Sequence, residues 1–192
     1  NTFGTTQRQI AAVCAKNHTH SVHNPLAQYQ RPYTIEEVLA APPITYPLTL
    51  PMCAPISDGA AATVLCNAEG LKRLKGDAKR AIKLLSSVVR SSSDRSFEDY
   101  KNHLTALAAT EAYEKAGVSP ADVDVAEVHD ATAMGEIIQV ENLQLVGYGE
   151  AGRAAEAGEL TIGGRVPVNP SGGLESKSQR TPDWRNRTRS SL

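Results

Sequence analysis

The sequence predicts an α/β fold built in layers, and three observations carry that expectation. Two runs, Ala61–Cys66 and, apart from Lys83 and two serines, Ala81–Val89, are apolar on both faces, as strands covered on both sides are. A third run, Val123, Val125 and Val128, is followed at once by a helical pattern of Met134, Ile137, Ile138, Glu141 and Leu145. From residue 81 the order is strand, loop, helix, strand, helix, which demands parallel pairing.

Each element has its own signal. Thr6-Gln7-Arg8-Gln9 is a capping box, and Ile10, Val13, Cys14 and Asn17 follow at helical spacing, so residues 6–17 are expected to be a helix. Asn17 to Pro25 is rich in polar residues and ends on Asn-Pro, so it reads as a loop; His18, His20 and His23 lack a partner Cys or carboxylate at ligand spacing, and no metal site is expected there. Thr34-Ile35-Glu36-Glu37 repeats the capping box before a short helix that Pro42-Pro43 ends. Five prolines from Pro42 to Pro55 predict irregular extended chain. After the turn at Asp58-Gly59, Ala61–Cys66 reads as a buried central strand, and Asn67 caps a helix through Leu71 and Leu74.

Ser91 to Ser96 is a polar loop. His103–Lys115 places Leu104, Leu107, Ala108 and Ala112 on one face, pairs Glu111 with Lys115, and stops at Gly117. Ser119-Pro120 starts a single turn before the strand that delivers His129 and Asp130 to its carboxyl end. In open α/β sheets that edge is where ligands bind, and the helix amino terminus beside it favours developing negative charge. The stretch through Gly147, Gly149, Gly152 and Gly158 is too rich in glycine to be one long helix. Gly163–Val168 then leads, hairpin-like, to Asn169-Pro170-Ser171-Gly172-Gly173-Leu174, where two glycines allow positive φ and close approach to a ligand or another strand.

Composition narrows the functional classes. Of 192 residues 41% are hydrophobic and 21% charged, and 20 basic residues balance 21 acidic ones, so no global field attracts nucleic acid or anionic membrane. No apolar run is long enough to span a bilayer. Cys14, Cys53 and Cys66 are an odd set without a CxxC, which argues for small core residues and a reducing, cytoplasmic location. With neither an initiator Met nor a signal sequence, the chain is expected to begin within a longer protein.

Four motifs in order, Lys16-Asn17-His18 through Asn24-Pro25, Pro55–Ala62, Glu127-Val128-His129-Asp130 with Glu136, and Asn169–Lys177, resemble the thiolases, in particular the sterol carrier protein X branch. The resemblance covers residues 1–177. It implies a layered fold of two βαβ halves, incomplete here: residues 1–50 would end a helical loop domain, 51–77 end the first half, and 78–177 form most of the second. It also implies cleavage of a 3-oxoacyl-CoA by CoA, or the reverse condensation, through an acyl-cysteine. CoA is then a substrate, with no resident cofactor and no metal. His129 matches the position that helps form the oxyanion site. Asp130, Asn169, Ser171, Gly172 and Gly173 match active-site loops.

The departures also have consequences. The family's nucleophilic Cys precedes this region, so none of Cys14, Cys53 or Cys66 takes that role, and the chain alone is expected to be inactive. Thr132 replaces the usual aromatic after His-Asp. After Lys177 the family's Gly-His-Pro base motif is missing. Reading the codons permitted for Arg180–Arg189 one nucleotide out of frame restores it, so residues 178–192 read as an out-of-frame or divergent tail. Three functions stay open: a thiolase that oligomerises at full length, a thiolase-like aldolase of steroid side-chain breakdown with a small OB-fold partner, and a non-catalytic acyl-CoA or partner binder. A Cys at the upstream nucleophile position separates the first from the other two. With the strands at 61–66 and 81–89 left without cover, the chain is also expected to expose apolar patches.

Overall fold

Local signals set where helices begin. Thr6 Oγ1 accepts from the Gln9 N–H at 3.2 Å while the Gln9 side chain accepts from the Thr6 N–H at 3.0 Å, the reciprocal bonds of a capping box. Helix α1 follows over Gln7–Ser21. Thr34 and Glu37 repeat the arrangement at the start of α2, Ile35–Ala40. The computed structural model of the chain describes residues 2–56, 60–73, 81–91, 94–96 and 98–176. The Asp58-Gly59 turn, Leu74, Lys177, the tail from 178 and parts of the Ser91–Ser96 loop lie outside the described residues.

After α2 come a small antiparallel hairpin of β1, Pro43–Thr45, and β2, Leu48–Thr49, and a 3-10 turn over Leu50–Met52. Then follow α3, Ala68–Arg73, α4, Leu104–Ala116, and α5, Ala133–Asn142. Two short helices, α6, Ala151–Glu156, and α7, Gly173–Ser176, complete the described chain. α1 is the central element and packs against α2, α5, α6 and α7, while α4 packs on α5. The core gathers Ile10, Val13 and Cys14 of α1 with Met52, Ile137, Val140, Leu160 and Val168.

Most helices stand where the sequence puts them. Asn67 Oδ1 accepts from the Gly70 N–H at the start of α3. Gly117 adopts φ 69° at the end of α4, and Lys115 pairs with Glu111 at 2.6 Å. Ser119 and Asp122 close the expected single turn. The buried face of α4, however, consists of Ala106 and Ala109, not the leucines, because small side chains let α4 approach α5. Ile138 of α5 also turns out to face solvent.

Three larger corrections have physical causes. α1 continues through Asn17–Ser21, the stretch expected to be a loop, because its polar side chains are buried and find partners on other elements. The proline-rich segment is not wholly irregular: a two-residue turn over Tyr46-Pro47 folds it into the β1–β2 hairpin. The runs Ala61–Cys66 and Ala81–Val89 are neither paired nor buried. A strand forms only when a neighbour takes its N–H and C=O groups, and no described residue does so for either run. Val64 is 80% exposed, Ile82 95% and Val89 94%, and Cys66 is exposed rather than in the core. Parallel pairing survives as a bridge between Ala126 and Val168.

Two unpaired, extended apolar runs form a template for intermolecular strand pairing. Sedimentation of the purified chain is therefore expected to show concentration-dependent association, weakened by the double substitution Ile82→Lys and Val89→Lys. A monomer at all concentrations, with a sharp two-state melt, would contradict this.

Candidate functional site

The site is built around two charges that interrupt otherwise buried helix faces. Lys16 of α1 and Glu136 of α5 are almost fully buried and meet at 2.9 Å. Lys16 Nζ also donates to Asn17 Oδ1 at 2.5 Å and to the Val168 carbonyl at 2.7 Å. Glu136 Oε2 accepts from Asn17 Nδ2 at 2.7 Å and from Asn169 Nδ2 at 2.8 Å. The ion pair and these four hydrogen bonds together offset its burial, since each ion loses several kcal/mol of hydration.

Asn169 extends the network into the chain segments that carry the loops. Its backbone lies at φ 51°, a left-handed conformation that Asn tolerates better than most residues. Its N–H donates to the Ala126 carbonyl at 2.8 Å, its Oδ1 accepts from the Val128 N–H at 2.8 Å, and its carbonyl accepts from His20 Nδ1 at 3.0 Å. His20 Nε2 in turn accepts from the Ile162 N–H at 3.1 Å, which fixes the tautomer. Burial, helped by the neighbouring Lys16 charge, pushes the His20 pKa down to about 4, so the ring is neutral.

Beyond Val128 the chain presents His129 to solvent and turns Asp130 inward. Asp130 Oδ1 accepts from the Leu174 N–H at 2.7 Å and Oδ2 from Asn17 Nδ2 at 3.1 Å. Burial raises its pKa to about 7; the Leu174 N–H opposes that rise, and the nearby Glu136 charge adds to it. Gly173, at φ 61°, has to be glycine here: a Cβ would lie 1.9 Å from Asp130 Oδ2. Gly172 passes close to Ser21, where a Cβ would come within 2.6 Å of the serine's own Cβ. The close approach expected of the two glycines is therefore to α1 and to Asp130. Ser171 bonds through both N–H and Oγ to the Glu127 carboxylate, at 3.1 and 2.6 Å.

The structure thus brings Asp130, Asn169, Gly172 and Gly173 into one buried joint, with Ser171 at its edge and His129 on the outer surface. Asp130 and Asn169, buried as they are, position the loops. His18 and His20 sit inside α1, and Thr132 caps α5 by accepting from the Gly135 N–H at 3.1 Å. Composition and periodicity did not single out Lys16, Asn17, His20 or Glu136 as partners. The usable signal was charged side chains, Lys16 and Glu136, within helices that also bury apolar residues.

A family model described as thiolase C-terminal domain-like matches residues 86–181, half of the chain, and the chain belongs to that family. It is similar to sterol carrier protein 2 of Oryctolagus cuniculus, 38% identical over 181 residues, which cover 91% of this chain and 33% of that protein. It is also 38% identical over 179 residues to an acetyl-CoA acetyltransferase of Methanothermobacter thermautotrophicus, covering 91% of this chain and 46% of the relative. A solved structure of an Ltp2-ChsH2(DUF35) aldolase superposes with a TM-score of 0.70 at 24% identity, over 92% of this chain and 48% of that one. The fold is therefore thiolase-like, and the chain spans between a third and a half of the length of these proteins. Among the described residues no helix is long and apolar enough to cross a membrane.

Two outcomes test the joint. Lys16→Met strands the Glu136 carboxylate, and urea denaturation is expected to show a loss of about 3–5 kcal/mol; the double variant Lys16→Met, Glu136→Leu recovers part of it. Because the folded-state pKa of Asp130 lies above its ordinary value of 3.8, the folded state binds the extra proton between those pH values. Its contribution is full below about pH 4 and lost as pH rises through about 7. The melting temperature of Asp130→Asn minus that of the parent is thus expected to increase from pH 4 to pH 7; a constant difference would mean that Asp130 titrates normally.

Proposed function

We propose that the chain is the second half of an acyl-CoA thiolase or acetyl-CoA acetyltransferase-like enzyme. In this reading residues 1–50 close a helical loop domain, 51–77 end the first half, and 78–177 build the second. The reaction breaks the bond between C2 and C3 of a 3-oxoacyl-CoA. An enzyme thiolate takes the acyl group, acetyl-CoA departs, and the thiol of a second CoA releases the acyl group as a shorter acyl-CoA; condensation is the reverse. CoA enters as a substrate and the chemistry needs no resident cofactor. The nucleophilic thiolate and the base come from polypeptide beyond residues 1–177, and the full protein works as a homo-oligomer.

His129 is the residue of this chain that touches the reacting atoms. Its imidazole N–H, directly or through water, donates to the thioester oxygen as negative charge builds there. The observation that carries this assignment is the clamp behind it: Asp130, next in the chain, is bonded to the Leu174 N–H, so the exposed imidazole and the Gly172–Gly173 loop are held in fixed register. Along α5, the helix that follows the His129 turn, runs a cavity of about 400 Å³ whose lining includes Phe3, Tyr100, Met134, Ile137, Ile138 and Tyr148. Its size and apolar walls suit an acyl chain.

A second reading is favoured by the aldolase neighbour and by Thr132, which stands where the resemblance expects an aromatic. It is a thiolase-like aldolase that cleaves a 3-hydroxyacyl-CoA beside a small OB-fold partner. The test is to express the whole reading frame and supply 3-oxoacyl-CoA with CoA, or 3-hydroxyacyl-CoA without it. Acetyl-CoA release from the first supports the thiolase, and a carbonyl product from the second supports the aldolase. Binding without turnover of either points to an acyl-CoA binder. For the thiolase, His129→Ala is expected to lower kcat by about a hundred- to a thousandfold with little change in KM; an unchanged kcat removes His129 from the reaction.

A further inference from the structure

We propose that Cys14, His18 and Glu175 form a binding site for a single zinc-type transition-metal ion that ties α1 to α7. Cys14 and His18 are four residues apart on α1, which places both side chains on one helix face at a spacing that suits two ligands of one ion. Glu175 comes from α7, 157 residues further along than His18 (175 − 18). One ligand atom from each of the three lies within 4.8 Å of the others. Around a tetrahedral ion with bonds of about 2.0–2.3 Å, ligand atoms stand roughly 3.5 Å apart. Small side-chain movements therefore suffice to close the site.

The observation that points to a ligand is the state of Glu175. It is fully buried, and neither of its carboxylate oxygens has a hydrogen-bond partner among the described residues. Cys14 is a close polar neighbour, but its S–H is given to the Pro51 carbonyl at 3.1 Å. A buried carboxylate in that state is costly unless it holds a proton or faces a cation. The surroundings supply more acid than base, with Asp130 and Glu136 nearby and Lys16 already committed to Glu136.

The remaining geometry fits the same ion. The Pro51 carbonyl oxygen lies 3.1 Å from Cys14 Sγ and 3.2 Å from His18 Nε2, so it faces the point where the two side chains converge. It can serve as the fourth donor while His18 Nδ1 keeps its bond to Ser176 Oγ at 3.2 Å; that bond orients the ring as outer partners of metal-bound histidines do. A thiolate, an imidazole and a carboxylate together select zinc over calcium or magnesium, which prefer oxygen alone. On binding, the Cys14 thiol and the Glu175 carboxyl each give their proton to solvent, and the Cys14 sulfur and a Glu175 oxygen become metal ligands. All three side chains are enclosed, so the ion enters as the chain folds. Its role is structural, at the back of the Gly172–Gly173 loop, and it does not touch the substrate proposed for His129.

The experiment uses the full chain, refolded with excess Zn2+ or Co2+ and freed of loose metal by gel filtration. The expected result is one zinc retained per chain and, with cobalt, a thiolate-to-metal charge-transfer absorption. Cys14→Ser abolishes that absorption, and Glu175→Gln weakens zinc binding more than the ten- to hundredfold typical of an outer-shell change. Cys66→Ser, at an exposed cysteine away from the site, leaves both signals intact. A folded chain that retains no zinc overturns the proposal. So does retention that survives both Cys14→Ser and Glu175→Gln, which would place the ion elsewhere. If Cys14→Ser does not fold, the cobalt spectrum of the unsubstituted chain decides: no thiolate band means no such site.

Discussion

The buried pair of Lys16 and Glu136 is the constraint on which the other contacts depend. Two oppositely charged groups leave water only at the cost of their hydration, and here most of the bonds that offset it come from distant parts of the chain. The ammonium takes the Val168 carbonyl, and the carboxylate takes the amides of Asn17 and Asn169. Satisfying the pair therefore fixes α1, α5 and the approach to the glycine loop relative to one another. Apolar packing alone would allow these elements to slide. Directional bonds to buried charges do not.

Asn169 shows how that constraint reaches the surface. A side-chain amide carries its donor and its acceptor on two separate atoms, and this one spends its donor on Glu136 and its acceptor on Val128. The backbone must turn left-handed to allow it, and the Ala126–Val168 bridge holds the two chain segments parallel while it does. Val128 is then one residue from His129 and two from Asp130. Strand alternation sends one outward and the other inward, where it meets the space that Gly173 leaves empty.

What could be read from the sequence follows the range of the interaction concerned. Thr6, Thr34, Asn67 and Ser119 were legible because a cap and its partner lie within three residues. Ala61–Cys66 and Ala81–Val89 were misread because a strand is defined by a neighbour, and their apolar content says nothing of whether one is present. Asn17–Ser21 failed for the opposite reason: its polarity suggested solvent, whereas its partners, such as Asn169 for His20, lie far along the chain. His129, Asp130 and the Asn169–Gly173 loop were found through family resemblance. Lys16 and Asn17 stood in the same motifs, but their pairing with Glu136 is visible only in three dimensions.

The same burial that positions these groups also settles their charge. It moves the acid Asp130 up to about 7 and the base His20 down to about 4, in each case toward the neutral form. Burial drives Glu175 in the same direction as Asp130, and Glu136 is balanced by Lys16. A cluster of three carboxylates, one ammonium and two imidazoles thus approaches neutrality without being rich in base. That matters for the chemistry proposed at His129, because three full negative charges behind the turn would oppose an anion forming in front of it. Near-neutral ground behind an exposed donor leaves the donor's own dipole to act. The acids that shape the loop can then serve as its scaffold without working against the charge it is meant to stabilise.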